Sequence, residues 1–170
     1  GRGALAGPVV AAAVILPPDP LALAPLLGRV DDSKQLTPRQ RDTLYDLVCR
    51  HALAYAVGRT ECTGIDAGGI VPATKAAMLQ ALAGLGCSPD YVLIDFVTLP
   101  GMLACPHRGI VHGDALSLSI AAASIIAKVT RDRWMCEQEA FYPGYGFALH
   151  KGYGTEAHHL ALARLGPCPL

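Results

Sequence analysis

The chain has 170 residues, of which 52% are hydrophobic and 16% are charged, and its 14 lysines and arginines balance its 14 aspartates and glutamates. This length and composition predict one globular domain with a substantial core and exclude a disordered chain. The zero net charge removes the basic surplus typical of nucleic-acid-binding proteins, although a local basic patch is sufficient for such binding.

No membrane-spanning segment and no signal peptide are predicted. The longest apolar stretch, residues 4–16, contains Gly7 and Pro8 and is shorter than the roughly 20 residues of a spanning helix. The six cysteines form no Cys-x-x-Cys pair, which predicts reduced, buried thiols. We therefore expect a cytoplasmic protein without a membrane partner.

Apolar runs and helix patterns alternate along the chain. Residues 8–16 predict a buried strand, and Thr37 followed by Pro38 predicts a capped helix that runs to about Arg50. The other predicted elements are strands at 52–61, 91–96 and 109–112, and helices at 72–85, 114–139 and 155–165. Strands that alternate with helices predict the α/β class.

Two isolated aspartates stand at the ends of apolar elements. Asp95 follows the apolar run 91–94, so it lies at the C-terminal end of a strand, where the active sites of α/β sheets gather. Asp114 precedes a helix rich in small residues, where the helix dipole favours a carboxylate. Together they predict a metal site. The alternatives are a solvated loop residue for Asp95 and a simple helix cap for Asp114.

Three further segments have a composition suited to ligand contacts. The glycines of residues 1–3 permit close backbone approach to a ligand, with a plain turn as the alternative. Ser33 and Lys34 precede the capped helix and are suited to bind a phosphate, with a polar loop as the alternative. Residues 142–147 and 150–155 interleave aromatic side chains with glycine. This favours contact with nucleic acid, whereas a loop that caps the core is the alternative.

Five segments of this chain, in this order, resemble bacterial ribonuclease HII, the type 2 ribonuclease H. The resemblance covers nearly the whole chain, and Arg2 favours type 2 over type 3, in which a threonine stands at this position. The segments are residues 1–8, 32–36, 93–95, 113–133 and 150–155.

The resemblance implies a ribonuclease H-like fold, in which a mixed central sheet is flanked by helices. It also implies an endonuclease that hydrolyses the RNA strand of RNA–DNA hybrids and cuts at single ribonucleotides embedded in duplex DNA. The cofactor would be Mn²⁺ or Mg²⁺ in a two-metal mechanism, and the protein would act as a monomer.

Roles for individual residues follow from the same resemblance. In the family, four carboxylates hold the metals: an Asp-Glu pair just before the Gly-Arg-Gly segment, and the positions matched here by Asp95 and Asp114. The segment Gly1, Arg2 and Gly3 would sense the ribose 2′-hydroxyl, the group that distinguishes RNA from DNA. The ring of Tyr153 would pack on the neighbouring deoxyribose.

The chain departs from the family pattern at its ends and at one internal position. The Asp-Glu pair and the family's first strand have no counterpart in residues 1–170. We therefore expect a single ribonuclease H-like domain, truncated at both ends and inactive by itself. Phe96 stands where the family usually has glycine. If the full-length protein lacks the Asp-Glu pair, a non-catalytic nucleic-acid-binding module is the alternative function.

Overall fold

The computed structural model describes residues 3–24, 26 and 36–170. Within them the strands and helices follow in the order β1 (Val9–Ile15), α1 (Pro20–Leu23), α2 (Pro38–His51), β2 (Ala54–Thr60), α3 (Cys62–Gly68), α4 (Ile70–Ala83), β3 (Val92–Asp95), β4 (His107–Ile110), α5 (Gly113–Leu116), α6 (Leu118–Gln138), α7 (Phe147–His150) and α8 (Glu156–Leu165). Strands alternate with helices, which confirms the predicted α/β class.

The strands pair in both directions, as in a mixed sheet. β1 and β2 are antiparallel, with Val9 opposite Thr60 at one end of the ladder. β3 and β4 are parallel, with Asp95 opposite Ile110 at the end of the ladder. Valine and isoleucine side chains of β1 and β3 supply part of the core, as expected for strands covered by helices.

The long helix α6 forms the centre of the packing. It lies against β1 and α2, and its alanines permit this close approach because they carry almost no side chain. Ala122 and Ile126 are fully buried and pack with Leu26 and Val48. The apolar face predicted from the small residues after Asp114 is therefore the face that contacts the sheet.

Helices α2 and α4 cover the rest of the sheet. The predicted helix start at Thr37 is confirmed, since Thr37 and Gln40 form a reciprocal capping box and Pro38 stands in the first turn. α4 packs closely on β1 and β2. A Cβ atom at Gly58 would lie 2.0 Å from the Ala77 carbonyl oxygen, so a side chain there would force α4 away from the sheet.

The structure differs from the predicted elements mainly at short helices. The predicted helix from 114 to about 139 is two helices, because the extended backbone of Ser117 separates α5 from α6. The short helices α1, α3 and α7 were not predicted, since helices of 4 to 7 residues carry too few turns for a clear periodicity. β4 also begins and ends two residues earlier than the predicted strand 109–112.

Cysteine positions only partly follow the prediction. All six cysteines are free. The expectation that they are buried is wrong, because Cys87 and Cys136 are exposed and the other four are half-buried. No helix among the described residues has the length and apolar character needed to cross a bilayer.

Candidate active site

Asp95 is the last residue of β3, and its carboxylate is held by the segment that leads into α5. The Gly113 N–H donates a hydrogen bond to Asp95 Oδ1 at 3.2 Å. The parallel pairing makes this contact possible, because Ile110, which lies opposite Asp95, comes shortly before Gly113 in the chain. A Cβ atom at Gly113 would lie 2.6 Å from Ile120 Cδ1, so a side chain there would displace the end of the Ile120 side chain.

Asp114 directly follows Gly113, the residue whose N–H binds the Asp95 carboxylate. It stands in the first turn of α5 and is buried, with 8% of its surface exposed. The N-cap of α5 is His112 and that of α6 is Ser117, so the helix-cap alternative for Asp114 is wrong. Asp95 is a half-buried strand residue, which contradicts the loop alternative for it.

These two carboxylates have the chemistry of a site for a hard divalent cation. Magnesium is commonly bound through one or two protein carboxylates, with waters and substrate phosphates completing the shell. Among residues 3–24, 26 and 36–170, no group of three or more His, Cys, Asp or Glu side chains is arranged to hold a metal ion. Asp95 and Asp114 therefore stay the predicted oxygen donors for such a cation, and the described residues by themselves form no larger ligand group.

A groove of about 740 Å³ separates β1 from β3 and runs beside Asp95. Its floor and walls come from both strands, from Thr74 and Met78 of α4, and from Lys128 of α6. In the described part of the chain, β1 is hydrogen-bonded only to β2, and β3 only to β4. The strand edges that face the groove are thus available for further backbone pairing. Tyr153 lines the same groove.

The segment that contains Gly3 is paired with the segment that contains Tyr153. Ala4 and Tyr153 form an antiparallel bridge, and the Leu5 N–H donates to the Gly152 carbonyl at 2.8 Å. A Cβ atom at Gly152 would lie 2.3 Å from the Ala6 carbonyl oxygen. Glycine at 152 is therefore required for the two segments to meet.

A buried guanidinium joins the same two segments. Arg131 is 1% exposed and donates from Nη2 to the Ala6 carbonyl at 3.0 Å, from Nε to the Pro8 carbonyl at 3.1 Å and from Nη1 to the Lys151 carbonyl at 2.9 Å. Burial lowers the pKa of Arg131 from its ordinary value, while Tyr153 and Asp132 act in the opposite direction. The charge is thus compensated mainly by backbone dipoles of the two loops.

The ring of Tyr153 lies against two cations of α6. Lys128 Nζ is 4.9 Å and Arg131 Cζ is 5.3 Å from the ring centroid. Lys128 also pairs with Asp132 at 2.8 Å. Contacts of this kind orient an aromatic ring, so Tyr153 is held in place from the α6 side while it remains partly exposed toward the groove.

Two stacked histidines contact the loop that contains Tyr153. The His150 and His158 rings lie 4.4 Å apart at 17°. His150 Nε2 is 2.8 Å from the Tyr145 carbonyl, and His158 Nδ1 is 3.0 Å from the Tyr153 carbonyl. His158 Nε2 is buried without a hydrogen-bond partner among the described residues. Burial lowers the pKa of His158 from its ordinary value, and the neighbouring His150 adds to this effect.

Left-handed backbone at non-glycine residues is confined to this site. In the described ranges these residues are Phe96, His112 and Lys151, with φ values of 61°, 54° and 53°. Phe96 follows Asp95, His112 lies two positions before Asp114, and Lys151 lies two positions before Tyr153. Strained backbone of this kind tends to occur at functional sites, and here it flanks each of the three side chains.

A scan against family models matches residues 1–170 to Ribonuclease HII. The chain belongs to the ribonuclease HII family. It is 55% identical over 170 residues to Ribonuclease HII of Chloroflexus aurantiacus, covering 100% of this chain and 80% of that protein. It is 52% identical to Ribonuclease HII of Dehalococcoides mccartyi, covering 100% and 79%. The crystal structure of ribonuclease H2 from Pyrococcus horikoshii is similar, with a TM-score of 0.77, 28% identity, and coverage of 99% of this chain and 86% of that one.

This family assignment confirms the resemblance and the ribonuclease H-like fold, and it implies a hydrolase and endoribonuclease. The structure joins Asp95 to Gly113, the residue before Asp114, and separately joins Ala4, the residue after Gly3, to Tyr153. The predicted site residues Gly1, Arg2, Ser33 and Lys34 lie outside the described residues.

The sequence analysis did not predict the buried residues that hold the segments of the candidate site. The sequence analysis predicts no role for Arg131, although Arg131 lies four positions before the fully buried Met135 and so shares its helix face. His158 gave no signal, because its stacking partner His150 lies on another helix. The core-capping alternative holds for Tyr145 and Phe147, which are 9% and 0% exposed.

We expect the His158 pair to make stability depend on pH. The unfolded chain takes up a proton near the ordinary histidine pKa of about 6.5, whereas the folded chain takes it up only at lower pH. The contribution is therefore fully present above pH ~6.5 and is lost below it, by at most ~1.4 kcal/mol per pH unit. Urea unfolding of the full-length protein between pH 8 and 5 should show this loss, and His158→Asn should reduce it. Parallel curves for the two proteins would contradict the prediction.

We expect Arg131→Met to destabilise the full-length protein strongly. The substitution leaves the carbonyls of Ala6, Pro8 and Lys151 without their donors, and each buried unsatisfied group costs ~1–3 kcal/mol. Urea unfolding should show a loss of at least ~3 kcal/mol. The matched control is Arg133→Met on the same helix, where the exposed side chain pairs with Asp42 and the change should stay within ~1 kcal/mol. Equal stability of the two variants would contradict a stabilising role for the three hydrogen bonds of Arg131.

Proposed function

We propose that the full-length protein is a metal-dependent endonuclease that hydrolyses the RNA strand of RNA–DNA hybrids and also cuts at single ribonucleotides embedded in duplex DNA. The family assignment supports ribonuclease H activity on hybrids. The observation that carries the proposal is the hydrogen bond from the Gly113 N–H to Asp95, which brings the residue before Asp114 to the end of β3. Carboxylates that bind divalent cations suit a reaction in which a phosphodiester is bound and hydrolysed.

Mn²⁺ or Mg²⁺ is the proposed cofactor, and Asp95 and Asp114 are the residues that would hold it. When bound, such ions lower the pKa of a water and stabilise charge on the leaving oxygen in a two-metal mechanism. The chain itself keeps Asp95 oriented through the Gly113 N–H and keeps Asp114 largely away from solvent. Both effects favour a carboxylate that is already in position when cation and substrate arrive.

We propose that the two paired segments, which contain Gly3 and Tyr153, recognise the substrate. Gly3 has a φ of 95°, and nothing lies within 4 Å of a Cβ atom built there, so its backbone is open to a ligand. With Gly1 and Arg2 it would contact the ribose 2′-hydroxyl, which is the chemical mark of RNA. Tyr153, paired with Ala4, would pack on the adjacent deoxyribose.

Phosphate contacts are proposed for Ser33 and Lys34. Contacts to phosphates position a nucleic acid without reading its sequence, which suits an enzyme that recognises a sugar.

We further propose that the protein acts as a cytoplasmic monomer. The free cysteines of the described structure support a reducing compartment.

We expect the full-length protein to nick a DNA duplex at a single embedded ribonucleotide in the presence of Mg²⁺ or Mn²⁺. Asp95→Asn and Asp114→Asn keep the side-chain shape but remove a charged ligand, so each should lower kcat at least about a hundredfold. Product analysis by denaturing gel is the measurement, with thermal unfolding as a check on the fold.

The controls separate the enzyme from a binding protein. Asp42→Asn removes an equally acidic but exposed residue of α2 and should leave cleavage unchanged. An all-DNA duplex should remain intact. Tight binding of the ribonucleotide duplex by the wild type without any cleavage would reject the proposed activity and favour the non-catalytic nucleic-acid-binding module.

We also propose that the groove between β1 and β3 receives a further strand, the one that carries the family's Asp-Glu pair. Both strands present an edge to the groove, and buried backbone groups normally find hydrogen-bond partners. A strand in this position would end near Asp95 and would bring its carboxylates to Asp95 and Asp114. Residues 1–170 alone would then lack both a central strand and half of the metal ligands.

We expect an upstream-extended chain to be more stable and more active than residues 1–170. Each buried backbone group without a partner costs ~1–3 kcal/mol, and net stability is only ~5–15 kcal/mol. Hydrogen exchange should show that amides of β1 and β3 become protected in the extended chain. Thermal unfolding and cleavage should be compared in parallel. An equally cooperative transition, equal protection and full activity of the short form would disprove the additional strand.

A further inference from the structure

We propose that Lys128 is a positioning residue for substrate binding, which acts by fixing the direction of the Tyr153 ring. The inference rests on the proposed function, in which that ring packs on a deoxyribose of the substrate. It gives Lys128 no contact with the substrate and no part in the bond cleavage.

The backbone of Tyr153 is held by three contacts, so only its side-chain torsions remain to be set. The Tyr153 N–H donates to the His150 carbonyl at 2.9 Å, and the Tyr153 carbonyl lies 3.0 Å from His158 Nδ1. Tyr153 also forms the antiparallel bridge to Ala4. A side chain on such a backbone still has a choice of staggered χ1 rotamers. The direction of the ring therefore depends on the side chains that contact it.

Two cations of α6 contact the Tyr153 ring, and they differ in what else they bind. Arg131 is buried and donates to three backbone carbonyls, so it holds the loops as well as the ring. Lys128 Nζ lies 4.9 Å from the ring centroid, within the range of a cation–π contact, and such contacts strengthen as water is excluded. Lys128 can therefore be replaced without removing the hydrogen bonds that join the loops.

Asp132 determines where the Lys128 ammonium group lies. Its Oδ1 is 2.8 Å from Lys128 Nζ, and the two side chains are only 20% and 22% exposed. A lysine that precedes its acidic partner by four positions stabilises a helix less than the reverse order does. Support of α6 is thus a poor explanation for this pair. A better one is that Asp132 keeps the cation over the ring of Tyr153.

The contact between Lys128 and Tyr153 belongs to the candidate site, since both residues line the groove that runs beside Asp95. A ring that is free to turn loses this freedom when a sugar packs on it, and each side chain immobilised on binding lowers the affinity. With Lys128 in place, the ring is already oriented in the free protein. Loss of the cation should therefore weaken substrate binding and leave the chemical step unchanged.

Direct binding of a substrate phosphate is the alternative role for Lys128. Loss of a phosphate contact would reduce the slope of log Kd against log salt by about one. A lysine that acts through Tyr153 leaves this slope unchanged, and its effect disappears when the ring is absent. The structure favours the second role, because the ammonium group is already engaged by a carboxylate and a ring.

The test measures KM, kcat and Kd of the full-length protein for a duplex with one embedded ribonucleotide. Lys128→Gln keeps a long polar side chain without the charge, and it should raise KM and Kd about 2- to 13-fold with kcat unchanged. Lys128→Arg keeps a cation over the ring and should restore both constants. In a Tyr153→Ala background, Lys128→Gln should change Kd no further. The salt slope of Lys128→Gln should equal that of the wild type.

Arg133→Gln is the matched control on the same helix. Arg133 Cζ also lies over a tyrosine ring, 4.5 Å from the Tyr45 centroid, and Arg133 also pairs with an aspartate, Asp42, at 2.9 Å. This variant should leave KM, kcat and Kd unchanged. Asp132→Asn is a second variant, which releases Lys128 and should raise KM and Kd less than Lys128→Gln does. If Lys128→Gln fails to fold, Asp132→Asn with and without Tyr153→Ala decides the matter in the same way.

The outcomes separate the role of Lys128 from the proposed function. Unchanged KM and Kd in Lys128→Gln, with an active wild type, would overturn the role of Lys128 alone. Additive effects of Lys128→Gln and Tyr153→Ala, or a lower salt slope, would overturn it in favour of a phosphate contact. An unchanged Kd in Tyr153→Ala would overturn both the sugar contact and the role of Lys128. A wild type that binds but does not cut would reject the proposed activity, while the Kd values would still decide the role of Lys128.

Discussion

The buried guanidinium of Arg131 is the interaction on which the candidate site most depends. A charge in the protein interior is costly unless it is fully hydrogen-bonded, and here three backbone carbonyls accept from it. Those carbonyls belong to two segments that are far apart in the chain. The long helix α6 thereby holds the Gly3 segment and the Tyr153 segment at a fixed distance from the sheet, and Tyr153 acquires its position from the same contact.

The opposite side of the site is held by the register of the sheet. Because β3 and β4 are parallel and Asp95 lies opposite Ile110, the chain that leaves β4 must pass the Asp95 carboxylate before it enters α5. The Gly113 N–H in that passing segment then orients Asp95. A shift of one residue in the β3–β4 ladder would move Asp95 away from the Gly113 N–H, so strand pairing and the proposed metal chemistry are coupled.

Rigid surroundings also explain why strain persists at this place. Phe96, His112 and Lys151 each adopt left-handed backbone close in sequence to a candidate functional residue, which costs energy at every one of them. Two backbone hydrogen bonds fix the turn at Phe96, and the Arg131 and His150 contacts fix the loop around Lys151. The proposed alignment of a cation, a phosphate and a ribose would benefit from such pre-set geometry.

The sequence by itself determined the features that local patterns encode. The apolar run before Asp95 places that residue at a strand end, and Thr37 with Pro38 and Gln40 begins a helix, because periodicity and capping act between near neighbours. Tertiary structure alone decided that Asp95 meets Gly113 and that a groove separates β1 from β3. It also decided the role of Arg131, whose hydrogen bond to Ala6 joins residues 125 positions apart. No local pattern records such a contact, since it exists only after the sheet and α6 have packed.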